Sequence, residues 1–277
     1  MERKRERKRP ASRHPGHPAT PRRATEPCRR FSVEHNRTLD LYVYIYVLAD
    51  RVDTLSKRWE ELPHKMAEAA FGPSDEDRKE LRAKIDAIEK TGAVSEWRKL
   101  LRLISEMVYC RGIDNYLTYV SEILALVFRT RPETLRSDEK VALSTVLAHP
   151  TMEELVRALA ELKVHQLSYR GMEDLASYLA SRLKWSLFVS SQERDRIVKL
   201  VERRNLIVHN RGVINDLFRR RYPGESVDRD GRIKVSVEDV RRDFAIIARS
   251  AYSLDRRTAI KFTLGTGPIA GRGRKAG

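Results

Sequence analysis

The chain has 277 residues, 34% charged and 41% hydrophobic, with a formal net charge of +16. That length allows one or two domains with a sizeable core. The longest apolar run, Leu41 to Ala49, has nine residues, far short of the roughly 20 that a membrane span needs, so no membrane association is expected.

The chain reads as almost wholly helical. Residues 1–30 carry 11 Lys or Arg against three acids and almost no apolar side chains, so disorder is expected there. The segment is either a nonspecific nucleic-acid arm or a reading-frame extension from an upstream start codon; with no apolar stretch behind it, it is not a secretory signal. Phe31 to Leu62 follows as an apolar-periodic helix stopped by Pro63. Ser74 opens a charged helix to about Lys90, with Asp75, Glu76 and Asp77 at the positive end of its dipole. Ser95 to Tyr109 and Ile113 to Arg129 are two helices, or one kinked at Gly112, ended by Pro132. Three shorter helices, Ser137 to Ala148, Thr151 to Leu162 and Met172 to Leu183, are separated by Pro150 and Gly171. They form a helical insertion at about residues 131–185.

Ser190 with Glu193 three residues on is a capping-box signature, and Gly212 stands just past the last periodic residue, so the next helix spans roughly 191–210. A loop with Pro223, Gly224 and Gly231 leads to Ile233-Lys234-Val235. Ser236, with Asp239, caps a final helix to about Asp255. Residues 257–277 form a basic, Gly-rich tail with little packing capacity. The expected fold class is all-α, a helical domain over residues 31–256 between disordered basic tails.

The charge is uneven. Residues 1–30 contribute +8 and residues 256–277 contribute +6, leaving only +2 for residues 31–255. Within that middle, residues 194–221 hold nine Arg or Lys against three acids. Positive charge gathered there suits an anionic polymer. Cys28 and Cys110 are the only cysteines; their separation supports neither a disulfide framework nor a zinc site, and a reducing cytoplasm is expected.

The basic stretch holds the candidate site. At about 100° per residue, Ile197, Val201 and Val208 share one stripe of helix 191–210, with Arg204 in its middle and Arg203 pointing the opposite way. Asn205 and His209 lie four apart, within side-chain reach. The Asn amide can then fix the imidazole, leaving one nitrogen for acid/base work near neutral pH, while an arginine fork matches two phosphate oxygens. The plainer alternative pairs Arg204 with a carboxylate on a packing helix and leaves His209 to the helix dipole. Elsewhere, His165 with Tyr169, four apart on a helix end, and His149 before a proline are read as structural. Arg219-Arg220-Arg221 is either a phosphate grip or a solvated charge run. Asp228 and Asp230 lack the ligands of a two-metal nuclease site, and no Walker or GxGxxG loop is present.

The run from Glu202 through Arg203, Arg204, Asn205, Leu206, Ile207, Val208, His209, Asn210, Arg211, Gly212, Val213 and Ile214 to Asn215 resembles the signature of the HEPN superfamily. Arg204, Asn205 and His209 match its Arg, polar residue and His in order. Asn210, Gly212, Val213 and Asn215 are similar to the extension of stand-alone prokaryotic members. The stretches from Ile113 to Arg131-Pro132-Glu133 and from Val164 to Tyr169 are also similar, so the resemblance covers residues 31–256. One departure is Arg211, where toxins paired with nucleotidyltransferase antitoxins usually carry tyrosine.

The resemblance implies a helical bundle of HEPN type and a metal-independent endoribonuclease without cofactor. Arg204, Asn205 and His209 would be its catalytic residues, and the clustered charge around them marks Arg203, Arg211, Arg219, Arg220 and Arg221 as the expected RNA contacts. It further implies a homodimer with a composite cleft, a toxin or phage-defence role, and an antitoxin or defence-system protein as a further partner. The same superfamily includes non-catalytic modules that bind RNA or protein, which is the alternative reading.

Overall fold

The computed structural model describes residues 18–70, 93–136, 140–168 and 171–269. Among these the secondary structure is α-helical apart from one 3-10 turn, one two-residue strand pair and two isolated β-bridges, Val213 with Arg232 and Val227 with Ile233. The helices are α1 (Glu26–Ala70), α2 (Ala93–Thr130), α3 (Leu143–Leu147), α4 (Met152–Ser168), α5 (Met172–Leu183), α6 (Ser191–Asn210), α7 (Asp216–Arg221) and α8 (Val237–Phe262). The all-α expectation holds, and no described helix is long and apolar enough to cross a membrane.

Several boundaries move. Residues 18–30 are not a loose tail. β1 (Arg23–Ala24) pairs antiparallel with β2 (Gly267–Pro268), and α1 starts at Glu26. Ala24, Thr25 and Cys28 are fully buried, so three small side chains anchor a stretch that its charge count marks as solvated. The tail expected from residue 257 is likewise helical to Phe262 and paired at Gly267–Pro268. Pro63 does not stop α1, which runs on to Ala70. A proline removes one N–H from the ladder, and a helix of 45 residues keeps many others. α2 is one uninterrupted helix through Gly112, α3 is shorter than expected and α4 longer. The helix expected over 74–90 lies outside the described residues.

The described chain divides into two units. The first comprises residues up to 32, 118–198 and from 241. Its core includes Phe31, Tyr119, Ile123, Phe128, Leu167, Leu179, Leu187 and Leu254. The Phe31 ring stands 5.4 Å from that of Tyr119, whose hydroxyl donates to the Ala251 carbonyl at 3.1 Å. A carboxylate is also buried here. Asp255 accepts from the Thr25 backbone N–H at 3.1 Å and from the Thr25 hydroxyl. Burial raises the Asp255 pKa above the ordinary carboxylate value, against those hydrogen bonds.

The second unit comprises residues 33–117 and 199–240. Tyr42, Tyr109, Ile113, Tyr116, Leu200, Leu206, Phe218, Ile233 and Val235 are buried in it. The end of α6 shapes this unit. Arg211 and Gly212 both adopt positive φ, 53° and 79°, a conformation glycine accepts readily. The Gly212 N–H caps the Leu206 carbonyl at 2.9 Å, and the Gly212 carbonyl accepts from Ile233 N–H at 2.9 Å. The loop before α8 is thereby folded back against the motif helix. Asn215 then caps α7, accepting from Phe218 N–H at 2.8 Å. At α8 the Ser236–Asp239 capping box is reciprocal, at 3.0 and 3.1 Å.

Candidate functional site

α6 begins and ends where its residues predict, and Ser190 Oγ accepts from Glu193 N–H at 3.1 Å. Its buried face is different. The buried side chains are Ile197, Val198, Leu200, Arg203 and Leu206, whereas Val208 is 49% exposed. The core row therefore follows i, i+3 steps from Ile197 to Leu206, and at about 100° per residue each step turns it by about 60°, carrying the row half-way around the helix. The apolar stripe through Val201 and Val208 leaves the core as it nears the site.

Arg203 is consequently corrected from an RNA contact to an internal residue, 3% exposed. Its Nη2 donates to the Lys234 carbonyl at 3.0 Å. Nε lies 3.0 Å from Glu225 Oε1, an ion-pair approach off the N–H axis. The guanidinium stands 5.2 Å over the Tyr109 ring. Glu225 is held from its other side by Lys199 Nζ at 2.8 Å. A permanent cation in the core is tolerated because carboxylate, carbonyl and ring face all meet it.

Arg204 points elsewhere. Its Nε lies 2.8 Å from Asp114 Oδ1 on α2, and the Arg204 side chain is about one-fifth exposed. Nη1 donates to Asn205 Oδ1 at 3.0 Å. The Asn205 amide oxygen is thus held by the neighbouring guanidinium rather than by His209, and only its NH2 remains for another partner. Cys110, one helical turn before Asp114, has its thiol pushed up to about 11 by burial, helped by Asp114 and opposed by Arg204. Asp114 is the packing-helix carboxylate of the plainer alternative, though neither it nor Glu225 is identifiable by local spacing, since both are distant in the chain.

His209 lines an open cleft of about 330 Å³ with Glu202, Asn205, Leu206, Asn210, Asn215, Leu217, Phe218 and Arg221. Arg221 Nη1 pairs with Glu202 Oε1 at 2.6 Å and lies over the Tyr222 ring at 5.6 Å. Asn205, His209, Arg211, Arg219, Arg220 and Arg221 are all exposed. The structure therefore brings together His209, Asn205 and Arg221 at one cleft. Arg204 is not among that cleft's lining residues.

Asp228 Oδ1 accepts from Asp230 and Arg232 N–H at 2.9 Å each, and its other oxygen meets Arg102 at 2.6 Å. The Arg232 N–H, more than Arg102, holds the Asp228 pKa below the ordinary carboxylate range. Among the described residues no three His, Cys, Asp or Glu converge as a metal site. Tyr169, the expected neighbour of His165, lies outside the described residues. Compared with family models, characterised proteins and solved structures, the chain matches none.

Proposed function

We propose that this protein is a metal-independent endoribonuclease of HEPN type, active as a homodimer. The observation that carries the reading is His209, exposed in the lining of an open cleft beside α6, five residues after an arginine whose guanidinium is held in place. The substrate's own 2′-hydroxyl would attack the adjacent phosphorus. As the 2′-O–P bond forms, the P–O5′ bond breaks, leaving a cyclic phosphate and a 5′-hydroxyl. His209 takes the proton of the attacking hydroxyl or delivers one to the leaving oxygen. Arg204 meets the charge that grows on the phosphoryl oxygens.

Asn205 holds Arg204 rather than His209, so its role in this reading is to orient the arginine. Arg204 and His209 sit on different sides of α6, and a twofold-related chain would bring the missing group. Exposed Val208 supports this, since it and Arg204 offer an apolar and charged strip suited to a hydrated interface. Arg211, Arg219 and Arg220 supply exposed positive charge for the RNA backbone. A toxin or phage-defence effector, restrained by a partner protein in the cytoplasm, is the setting that the resemblance offers.

The second reading is a non-catalytic module that binds RNA or protein. The observation favouring it is that Arg204 and Arg221 are already neutralised by Asp114 and Glu202. Incubating the protein with mixed RNA in EDTA separates the two. Cleavage should persist in EDTA and fall at least a hundredfold in His209→Ala, within the range for loss of an acid/base group. Intact RNA favours the binding module, whereas a fully active His209→Ala overturns the role of His209 in the cleavage.

A further inference from the structure

We infer that the cleft beside His209 seats one unpaired nucleobase of an RNA strand; this rests on the ribonuclease reading and narrows its substrate to single-stranded RNA. The lining has the two qualities such a guest needs. Leu206 and Phe218 form a buried apolar floor, and Leu217 stands 70% exposed at the rim. These three present hydrocarbon and an aromatic ring to the flat face of a base. The volume of about 330 Å³ lies at the small end of the roughly 300–1,000 Å³ of small-molecule sites. That is room enough for one nucleobase.

The polar atoms point to a base edge. Asn205 Oδ1 is taken by Arg204 Nη1 at 3.0 Å, and Asn215 Oδ1 by the Phe218 N–H at 2.8 Å. Each bond fixes which end of its amide is the oxygen. Both side chains therefore have NH2 donors left to offer, and base edges carry ring-nitrogen and carbonyl acceptors. Glu202, with Oε1 held by Arg221, keeps its second oxygen as an acceptor for a base N–H. In an RNA duplex the edges are paired, whereas unpaired bases can be splayed into such a pocket.

The test uses variants that keep the fold. Asn215→Asp retains an oxygen for the Phe218 N–H, aspartate being as good an N-cap as asparagine, yet it has no NH2. Asn205→Asp likewise keeps an acceptor for Arg204. The full chain is titrated in EDTA with a short single-stranded 2′-fluoro RNA, which lacks the attacking hydroxyl. The comparison ligands are the same RNA as a duplex and an equally long strand of abasic spacers. Wild type should bind the base-bearing single strand at least tenfold more tightly than either. Both variants should keep the wild-type melting temperature and lose that preference for bases. Equal wild-type affinity for base-bearing and abasic strands overturns the inference, because the cleft then grips only backbone; so do variants that discriminate as wild type does. Cleavage of ordinary RNA, measured in parallel, tells the two readings apart. Cleavage that needs His209 but shows no base preference sinks the pocket alone. Base preference without cleavage sinks the nuclease reading instead.

Discussion

Arg203 Nε lies 3.0 Å from Glu225 Oε1, and both side chains are almost wholly buried. The pair ties the middle of α6 to the loop that precedes α8. Removing one partner of a buried pair leaves the other charge stranded, at a cost of about 3–5 kcal/mol. Arg203→Ala should therefore lose stability on that scale in chemical denaturation. It should also lose the bond to the Lys234 carbonyl. A variant within 1 kcal/mol of wild type would show that Lys199 alone satisfies Glu225.

Arg204 should behave in the opposite way. Its partner Asp114 is more than one-third exposed, and such pairs contribute about 0–1 kcal/mol. Arg204→Ala should melt within a few degrees of wild type while RNA cleavage is lost. Arg204→Lys keeps the charge but cannot reach Asp114 and Asn205 at once with a planar fork, so it should recover little activity. A fully active Arg204→Lys would reduce the residue to a point charge.

What the sequence disclosed and what it hid divide along local and distant physics. Ser190, Gly212, Ser236 and Asp239 act within one helical turn, and the ends of α6 and the start of α8 follow from them. Burial is decided elsewhere. Helical periodicity alone places Arg204 on the apolar stripe and Arg203 opposite it. A charged residue belongs in a core row only when its partners arrive, and Glu225, Lys234 and Tyr109 come from far along the chain. Asn205 and His209, four apart, do line one cleft. Which group holds the Asn205 oxygen does not follow from spacing, because the adjacent Arg204 cation takes it. Residues 24–28 show the converse error, where a high local charge count concealed Ala24, Thr25 and Cys28 in the core.

The buried Asp255 gives a pH prediction. Its folded pKa is raised by burial, so the native state holds this proton more tightly than the unfolded chain. Its contribution to stability is most favourable in acid and is lost as pH rises from the ordinary carboxylate value through the raised one. Asp255→Asn keeps an oxygen for Thr25 and cannot ionise. The stability of wild type relative to this variant should fall across that window and then level off. A difference independent of pH would mean that the carboxyl is not desolvated.

Cys110 can report on Arg204 without any RNA. With its thiol pushed up to about 11, little thiolate is present near neutral pH, and thiolate is the reactive form. Iodoacetamide should therefore react slowly with the wild-type chain. Cys28, fully buried beside Asp255 with its own pKa raised by burial, should not contribute. Asp114→Asn removes a charge that raises the Cys110 pKa and should speed the reaction. Arg204→Ala removes the opposing charge and should slow it. Equal rates in all three proteins would contradict the placement of Asp114 and Arg204 beside the thiol.

The composite site predicts complementation between dead chains. In a twofold dimer each cleft would take His209 from one chain and Arg204 from the other. Arg204→Ala and His209→Ala homodimers each lack one group at both clefts, so both are inactive. A mixed dimer is different. One of its clefts receives the intact His209 of the first variant and the intact Arg204 of the second, while the other receives neither. Random exchange places half the dimers in this mixed form, each with one working cleft, so mixing should restore about one-quarter of wild-type cleavage. Sedimentation should show a dimer at the same concentration. If the mixture stays inactive although chain exchange is demonstrated, Arg204 and His209 act from the same chain, and the protein must bring them to one phosphate by rotating the arginine away from Asp114.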